Sequence, residues 1–483
     1  MHRLLMTILS CALLLLTLQI GLLKQVVAQT PQHPEIDARY YAEWTVAAPA
    51  GLRDRVVDLQ VDFTNLLQTV GATGAFKPDS IHAYLVQNDS TLGAPVPAQF
   101  EKSTLYNETT NAEGSLLIYL SNLSETTQTT RTYRVYFDTQ GTYAAQSATT
   151  PLKLEDNITY QAADSIRITT PSQIYIYDKK GAGMAALLDS EGNDWISHNT
   201  QSGGNGMYRG IPNAIEPEGG FHAGDTPMTS TILTRGPVKI SIGATGYAGA
   251  WQGRYDIYPS YATFTITHAG HSYWLLYEGT PGGLLEPESD FVIRSNGTKT
   301  MASASWDGDI PAPEWAIFAD GTLNRSLFMY LKDDDAVGDS YWPMGSQMTV
   351  FGIGRLSANL MTKVPNTLAF GLIETREHAA ASTLLQSVFN APTATLAGVH
   401  VRTTGTTPTN TPGPDPTCRK LQGDADCDGT VGLIDFATWK DEYSGQLGTD
   451  RDGDGALMDA DFNEDSNVTL IDYEIWRGTY LAQ

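Results

Sequence analysis

The feature that most constrains this chain is a short acidic segment near its C-terminal end. Asp424, Asp426, Asp428 and Asp435 fall at positions 1, 3, 5 and 12 of a twelve-residue loop, with Gly429 at position 6. Alternate side chains of a tight loop converge on one point, and a glycine at the turn allows that convergence. Hard oxygen ligands of this kind favour Ca²⁺, and the spacing is that of an EF-hand loop.

The loop is repeated, together with the segment that follows it. Residues 461–472 carry oxygen-bearing side chains at the same positions, although Ser466 replaces the glycine. The aromatic residues after the loops repeat at a distance of 37 residues: Phe436, Trp439 and Tyr443 match Tyr473, Trp476 and Tyr480. A solvated acidic patch is the alternative, but it would not repeat both a loop and a helix in one register. We therefore predict two loop–helix calcium motifs.

Two such motifs behind a Thr/Pro-rich segment resemble a type I dockerin, and the resemblance covers residues 418–483. Dockerins dock onto cohesin domains of scaffoldins and usually deliver carbohydrate-active enzymes to a cellulosome. The resemblance implies Ca²⁺ as the cofactor and a cohesin-like protein as a partner. The ligands that it implies are Asp424, Asp426, Asp428, Thr430 and Asp435, then Asp461, Asn463, Asp465, Asn467 and Asp472, with Thr430 and Asn467 supplying backbone carbonyls.

This segment also departs from the dockerin pattern. Positions 10 and 11, often Ser-Thr in the family, are Leu433-Ile434 and Leu470-Ile471, which face either a partner or the module's own core. The long repeat spacing holds an acidic run at 450–455, which is either a further ion site or, as we favour, a flexible insert. Cys418 and Cys427 flank the start of the first loop and form either a disulfide or two free thiols.

The N-terminus and the charge indicate export. Residues 1–28 place Arg3 before a long apolar run, which predicts a secretory signal peptide cut near Ala28, with an uncleaved anchor as the alternative. The expected location is therefore extracellular or at the cell surface. The net charge is −24, which argues against nucleic acid as a partner and against membrane binding beyond the export signal.

Between the signal and the module, the sequence predicts a mainly β chain. A small β-sandwich is expected at 36–142, because Val57, Leu59, Val61 and Phe63 alternate with polar residues, and no helix of useful length is expected there. A larger sandwich is expected at 155–400, with one helix around Arg376–Phe389. Its size is comparable to mutarotase-like and polysaccharide-lyase sandwiches, by analogy alone. Residues 401–417 are a Thr/Pro linker, followed by the small helical calcium-loop module.

Glycine-flanked polar residues in the larger domain are the candidates for chemistry. Tyr208 and Arg209 lie between glycines, His222 follows Gly219-Gly220, and Glu278 ends a predicted strand. A lyase needs an Arg or His to neutralise a uronate and a Tyr or His to move a proton, so we select Tyr208, Arg209 and His222 as catalytic candidates. Hairpin tips that cap their own backbone are the alternative. Six tryptophans also fall in this domain, where they either stack on sugars or fill the core: Trp195, Trp251, Trp274, Trp306, Trp315 and Trp342.

Two classes of function follow. In the first, the protein is a secreted carbohydrate-active or glycan-binding protein in polysaccharide degradation, carrying a calcium-dependent docking module. If it is an enzyme, it is a polysaccharide lyase or an O-glycosyl hydrolase. In the second, it is a structural or adhesive surface protein that calcium stabilises, without catalysis. The dockerin-like tail and the tryptophans favour the first class.

Overall fold

The computed structural model describes residues 38–402, except positions 89, 147, 203 and 359, and residues 425, 431–444, 460–462 and 468–481. The chain divides into two compact units, Met1–Arg402 and Thr403–Gln483. The predicted signal peptide, the linker beyond position 402, both cysteines at 418 and 427, and the insert 450–455 lie outside the described residues. Within the described ranges, no helix combines the length and the apolar character needed to span a membrane.

The described chain is mainly β, with antiparallel sheets and a few short helices. In chain order the strands are β1 (Tyr40–Ala48), β2 (Arg55–Asp62), β3 (Lys77–Val86), β4 (Leu92–Val96), β5 (Ala98–Lys102), β6 (Glu113–Leu120), β7 (Thr129–Asp138), β8 (Lys153–Tyr160), β9 (Ala163–Thr169), β10 (Ile174–Asp178), β11 (Gly183–Leu188), β12 (Thr229–Arg235), β13 (Ile240–Gly246), β14 (Trp251–Ile257), β15 (Ala262–His268), β16 (Leu275–Gly279), β17 (Phe291–Arg294), β18 (Lys299–Met301), β19 (Trp306–Gly308), β20 (Trp315–Ala319), β21 (Ser326–Leu331), β22 (Asp339–Met344), β23 (Met348–Ile353), β24 (Asn366–Ile373) and β25 (Thr393–Val401). The α-helices are α1 (Phe63–Thr69), α2 (Gly204–Met207), α3 (His378–Phe389), α4 (Leu433–Tyr443) and α5 (Leu470–Tyr480), and 3₁₀ turns occur at Thr200–Ser202, Tyr247–Gly249 and Pro281–Gly283.

The first part of the chain forms a sandwich of two sheets, ordered β25-β1-β7-β3-β4 and β2-β6-β5. Val57, Leu59 and Val61 of β2 are buried while the residues between them are more exposed, as their alternation predicts. The strand ends in α1, which the sequence prediction did not include. Asp62 caps this helix by accepting a hydrogen bond from the Thr64 amide at 2.9 Å. The helix is seven residues long, too short for a helical period to show in the sequence.

The edge strand β25 comes from the far end of the range predicted for the larger domain. It pairs antiparallel with β1, so that Tyr40 lies opposite Val401 and Ala47 lies opposite Thr393. The larger domain is therefore inserted between strands of the smaller sandwich. The division predicted between residues 36–142 and 155–400 separates two strands that share one sheet.

The larger domain packs a nine-stranded sheet, β12-β13-β14-β15-β24-β21-β20-β17-β18, against four-stranded sheets. Helix α3 covers the other face of the long sheet, where Leu384, Leu385 and Val388 pack with Trp315 and Phe328. The helix predicted around Arg376–Phe389 is confirmed. The four-stranded sheet β16-β23-β22-β19 turns Tyr277, Phe351 and Tyr341 into the core. Because side chains alternate along strands, Glu278 and Trp342 project from its opposite face, called here the outer face.

The second unit contains α4 and α5, which pack through the two aromatic stripes. Trp439 donates its indole N–H to the Thr469 carbonyl at 2.8 Å, and Trp476 donates to the Gly432 carbonyl at 2.8 Å. The two bonds are equivalent under the 37-residue repeat, since Trp439 corresponds to Trp476 and Gly432 to Thr469. Each helix is thereby tied to the start of the other.

Candidate functional site

The candidate site of the first unit lies on the outer face, beside strand β16. The segment around Gly210 pairs with this strand, because the Gly210 amide donates to the Glu278 carbonyl at 2.8 Å and the Glu278 amide returns a bond at 3.0 Å. The Glu278 side chain is buried, and its Oε2 accepts a hydrogen bond from the side-chain amide of Asn213. This pairing brings the loop that carries Tyr208 next to a buried carboxylate.

His222 lies between two carboxylates. Its Nε2 is 3.9 Å from Glu278 Oε2, and its Nδ1 is 3.7 Å from Asp225 Oδ2, which are ion-pair rather than hydrogen-bond distances. The same Nε2 donates to the Tyr208 carbonyl at 3.0 Å. A Cβ at Gly210 would lie 2.8 Å from the His222 ring, so glycine is required there for the loop to approach. The two glycine-rich loops therefore meet at this imidazole.

The charges of this cluster are coupled. Burial alone would lower the pKa of His222, but Asp225 and Glu278 outweigh it and raise that pKa above its usual value. Burial raises the pKa of the Glu278 carboxyl, against the opposing effects of His222 and Asn213. Burial lowers the pKa of His198, whose ring centroid is 6.3 Å from that of His222, and the charge of His222 lowers it further. A buried acid and a base therefore share one proton-transfer environment.

Arg355 forms the second part of the outer face. Its guanidinium carbon lies 4.4 Å from the ring centroids of both Trp274 and Trp342, which enclose it on two sides. Its Cβ would be 2.7 Å from a Cβ at residue 352, where the chain has glycine. Buried donors at this position, Arg355 Nη1 and Trp274 Nε1, have no acceptor. The positive charges of Arg355 and His222 both act on Glu278 by lowering its pKa.

The structure treats the three predicted catalytic residues differently. Tyr208 has half of its surface exposed, 51 %, and its carbonyl contacts His222, which is 4 % exposed. The Arg209 side chain instead donates to the carbonyls of Ser197 at 3.3 Å and Gln347 at 3.2 Å. The Tyr208 backbone is thus brought to His222, while the Arg209 guanidinium holds backbone segments. The sequence reasoning missed Arg355, because a single arginine after a strand has no local signature.

The six tryptophans divide between the core and the outer face. Trp195, Trp251 and Trp315 are at most 2 % exposed and belong to the cores of the domain. Trp306 stacks near Tyr341 at 6.2 Å and lies under the guanidinium of Arg294. Only Trp274 and Trp342, among the six, enclose Arg355.

In the second unit, the described loop residues include the carboxylates at position 12 of both loops. Asp435 accepts bonds from the Ala425 amide at 2.7 Å and the Gly432 amide at 2.6 Å. Asp472 accepts equivalent bonds from the Phe462 amide at 2.9 Å and the Thr469 amide at 2.8 Å. Each carboxylate therefore joins the second residue of its loop to the helix start. The other predicted ligands, apart from Asp461, lie outside the described residues: Asp424, Asp426, Asp428, Thr430, Asn463, Asp465 and Asn467.

Comparisons with known proteins give distant likenesses. No family model and no curated protein matches the chain. Among solved structures, it is similar to an alpha-mannosidase from Enterococcus faecalis V583, with a TM-score of 0.41 and 9 % identity over 75 % of this chain. That alignment spans 46 % of the mannosidase chain. A structure described as HI1317 aligns with a TM-score of 0.34 and 11 % identity, over 46 % of this chain and 99 % of that one. The function is therefore argued from the site itself.

Proposed function

We propose that the chain is an exported carbohydrate-active or glycan-binding protein whose first unit recognises an acidic glycan on the outer face. The observation that carries this proposal is the placement of Arg355 between Trp274 and Trp342. Indole faces and edges pack against sugar rings, and a guanidinium binds a carboxylate through paired hydrogen bonds. Buried donors that lack an acceptor cost free energy, and a uronate carboxylate would supply one to Arg355 Nη1.

The neighbouring cluster supplies groups for proton transfer. In β-elimination from a uronate, one group neutralises the carboxylate, a base removes the adjacent proton, and an acid protonates the leaving oxygen. Arg355 is suited to the first task. His222 and Glu278, with Tyr208 at the rim, are suited to the others. An outcome of binding without cleavage would place the protein among glycan binders rather than lyases.

The test is a panel of acidic and neutral polysaccharides, assayed for binding by affinity electrophoresis and for cleavage by unsaturated-uronate absorbance and reducing ends. Arg355→Met should weaken binding of an acidic glycan by about 10- to 100-fold, because a charge-assisted bidentate contact is lost. Arg235→Met is the matched control, since Arg235 is an exposed arginine paired with Asp156. Equal binding of all three proteins, or binding of none, would favour the structural or adhesive alternative.

We further propose that the second unit is a calcium-dependent docking module for a cohesin-like partner. Its core is small, so ion binding would contribute much of its folding free energy. Circular dichroism of residues 403–483 should show helix with excess Ca²⁺ and its loss with EDTA. Asp424→Ala with Asp428→Ala should melt the first motif. Equal helicity in both conditions would remove the calcium proposal.

Leu470 and Ile471 are the candidate partner residues, since they are 58 % and 59 % exposed at the start of α5. This exposure favours contact of Leu470 and Ile471 with a partner over their packing in the module's own core. Leu470→Ser with Ile471→Thr should leave the calcium-bound melting temperature within about 2 °C, because exposed side chains contribute little to stability. Partner binding should be lost. A large fall in melting temperature would instead assign these residues to the core.

A further inference from the structure

A second polar cluster lies at one end of the larger domain, next to the segment that carries Arg355, since Asp339 accepts a hydrogen bond from the Gly354 amide. Glu314 immediately precedes β20 and Asn366 begins β24, two strands of the nine-stranded sheet, while Asp339 begins β22 of the four-stranded sheet. Glu314 shares the strand alternation of Ala316 and Phe318, and Asn366 that of Leu368 and Phe370, all core residues. Both side chains therefore turn toward the space between the sheets, and this group is called here the acceptor cluster.

The loop after β21 closes over this space and adds Asp335. The Asp335 amide donates to Glu314 Oε2 at 3.4 Å, which places the two residues side by side. Asp339 is held in place by the amides of Ile310 at 2.9 Å and Gly354 at 3.0 Å. Burial, and after it the charges of Asp339 and Asp335, raises the pKa of Glu314 to about 10. Burial raises the pKa of Asp339 to about 7.

Oxygen atoms in the acceptor cluster lack donors. Glu314 Oε1, Asp335 Oδ2 and Asn366 Oδ1 are buried, and none has a hydrogen-bond partner. Glu314 and Asn366 are each only 1 % exposed. Burial raises the pKa of Asp335; Lys363 opposes this effect, but its ammonium is paired with Asp333 at 2.9 Å.

We propose that the acceptor cluster binds one divalent cation of the Ca²⁺ class. Buried oxygens without donors are what a hard cation requires, and Ca²⁺ accepts carboxylate, amide and carbonyl oxygens together with water. Within the described residues, no three His, Cys, Asp or Glu side chains are grouped so that they could hold a metal ion, and a third protein ligand has to be of another type. The proposed protein ligands are therefore two carboxylates, Glu314 and Asp335, supplemented by the amide oxygen of Asn366 and by water.

The test uses the full chain. Asp435→Asn with Asp472→Asn is introduced first, so that ions bound by the C-terminal loops do not obscure the count. Equilibrium dialysis against ⁴⁵Ca²⁺ should then find one ion per chain. Addition of Glu314→Gln and Asp335→Asn should abolish that binding. Asp333→Asn, an exposed acid in the same loop, is the control and should leave it unchanged.

The outcomes separate the possibilities. Loss of the ion in the Glu314→Gln/Asp335→Asn protein, with retention in Asp333→Asn, supports the site. If the Asp435→Asn/Asp472→Asn chain binds no ion, or if an ion remains bound after both further substitutions, the proposal is overturned. Ordered water is then the partner of these oxygens. Far-ultraviolet circular dichroism in EDTA checks folding. If the double substitution does not fold, Asp335→Asn alone decides, since loss of one ligand should weaken binding by at least about tenfold.

Discussion

The outer face and the acceptor cluster bury ionisable groups to a similar extent, but the groups next to them differ in charge. On the outer face, Glu278 has a histidine, an arginine and an amide donor within reach, and the atoms left without partners are donors. In the acceptor cluster, Glu314 has further carboxylates as neighbours, and the atoms left without partners are acceptors. The two proposed ligands differ for this reason: donors without acceptors are matched by an anionic or oxygen-rich molecule, and acceptors without donors are matched by a cation.

The largest expected effect comes from removing positive charge beside Glu278, because the outer face then resembles the acceptor cluster. His222→Ala leaves Glu278 buried with less positive charge and removes the bond to the Tyr208 carbonyl. The free energy of unfolding should fall by about 2–4 kcal/mol, measured by urea denaturation of the full chain.

His271→Ala is the matched control. His271 pairs with Glu218 at 3.1 Å, but both side chains are more than a third exposed, at 35 % and 43 %. An exposed pair of this kind contributes little to stability, so His271→Ala should leave the free energy of unfolding close to that of the wild type. Equal losses in the two variants would mean that burial does not distinguish the pairs.

An intermediate effect comes from replacing one carboxyl group of the acceptor cluster by an amide. In EDTA, Glu314→Gln replaces a buried acid that is surrounded by acids, so the free energy of unfolding should rise by about 1–2 kcal/mol. In excess Ca²⁺ the wild type should recover that difference, because ion binding adds to its stability. Denaturation with and without the ion measures both values. A destabilised Glu314→Gln protein in EDTA would contradict the comparison.

The smallest effect is a pair of opposite pKa shifts on the outer face. Nuclear magnetic resonance titration should place the pKa of His222 above and that of His198 below the ordinary value of about 6.5. The contribution of charged His222 to stability is therefore present below pH 6.5 or so and is lost as the pH rises through its folded pKa. The contribution of neutral His198 to stability is present above about pH 6.5 and is lost as the pH falls through its folded pKa. Shifts in one common direction would show that the carboxylates do not act on His222 as described.

Local patterns predicted much of the fold. The alternation around Val57 predicts strand β2, and the range Arg376–Phe389 contains α3. The pairing of β25 with β1 was not predictable, because it joins segments some 350 residues apart and depends on tertiary contacts.

The residues that meet at the candidate site could be predicted only in part, for a similar reason. Glycine-flanked polar residues marked His222 and Glu278, since backbone must approach closely there, as at Gly210. Arg355 and Glu314 each stand alone at a strand end, and only the sheet register brings them to Trp342 or Asp339. Distances between strands distant in sequence are set by packing rather than by local propensity.

The pairing of β25 with β1 has a mechanical consequence. Tension applied between residues 38 and 402 enters at one end of an antiparallel pair, where Tyr40 faces Val401 and the Arg402 amide donates to the Arg39 carbonyl. The force therefore loads these hydrogen bonds one after another, as in a zipper, instead of shearing them together. Because most of the edge strand is exposed or half-buried, its release uncovers little core. Under a pull between its ends, the first unit should yield first at β25, at a low force, while the inserted larger domain stays intact.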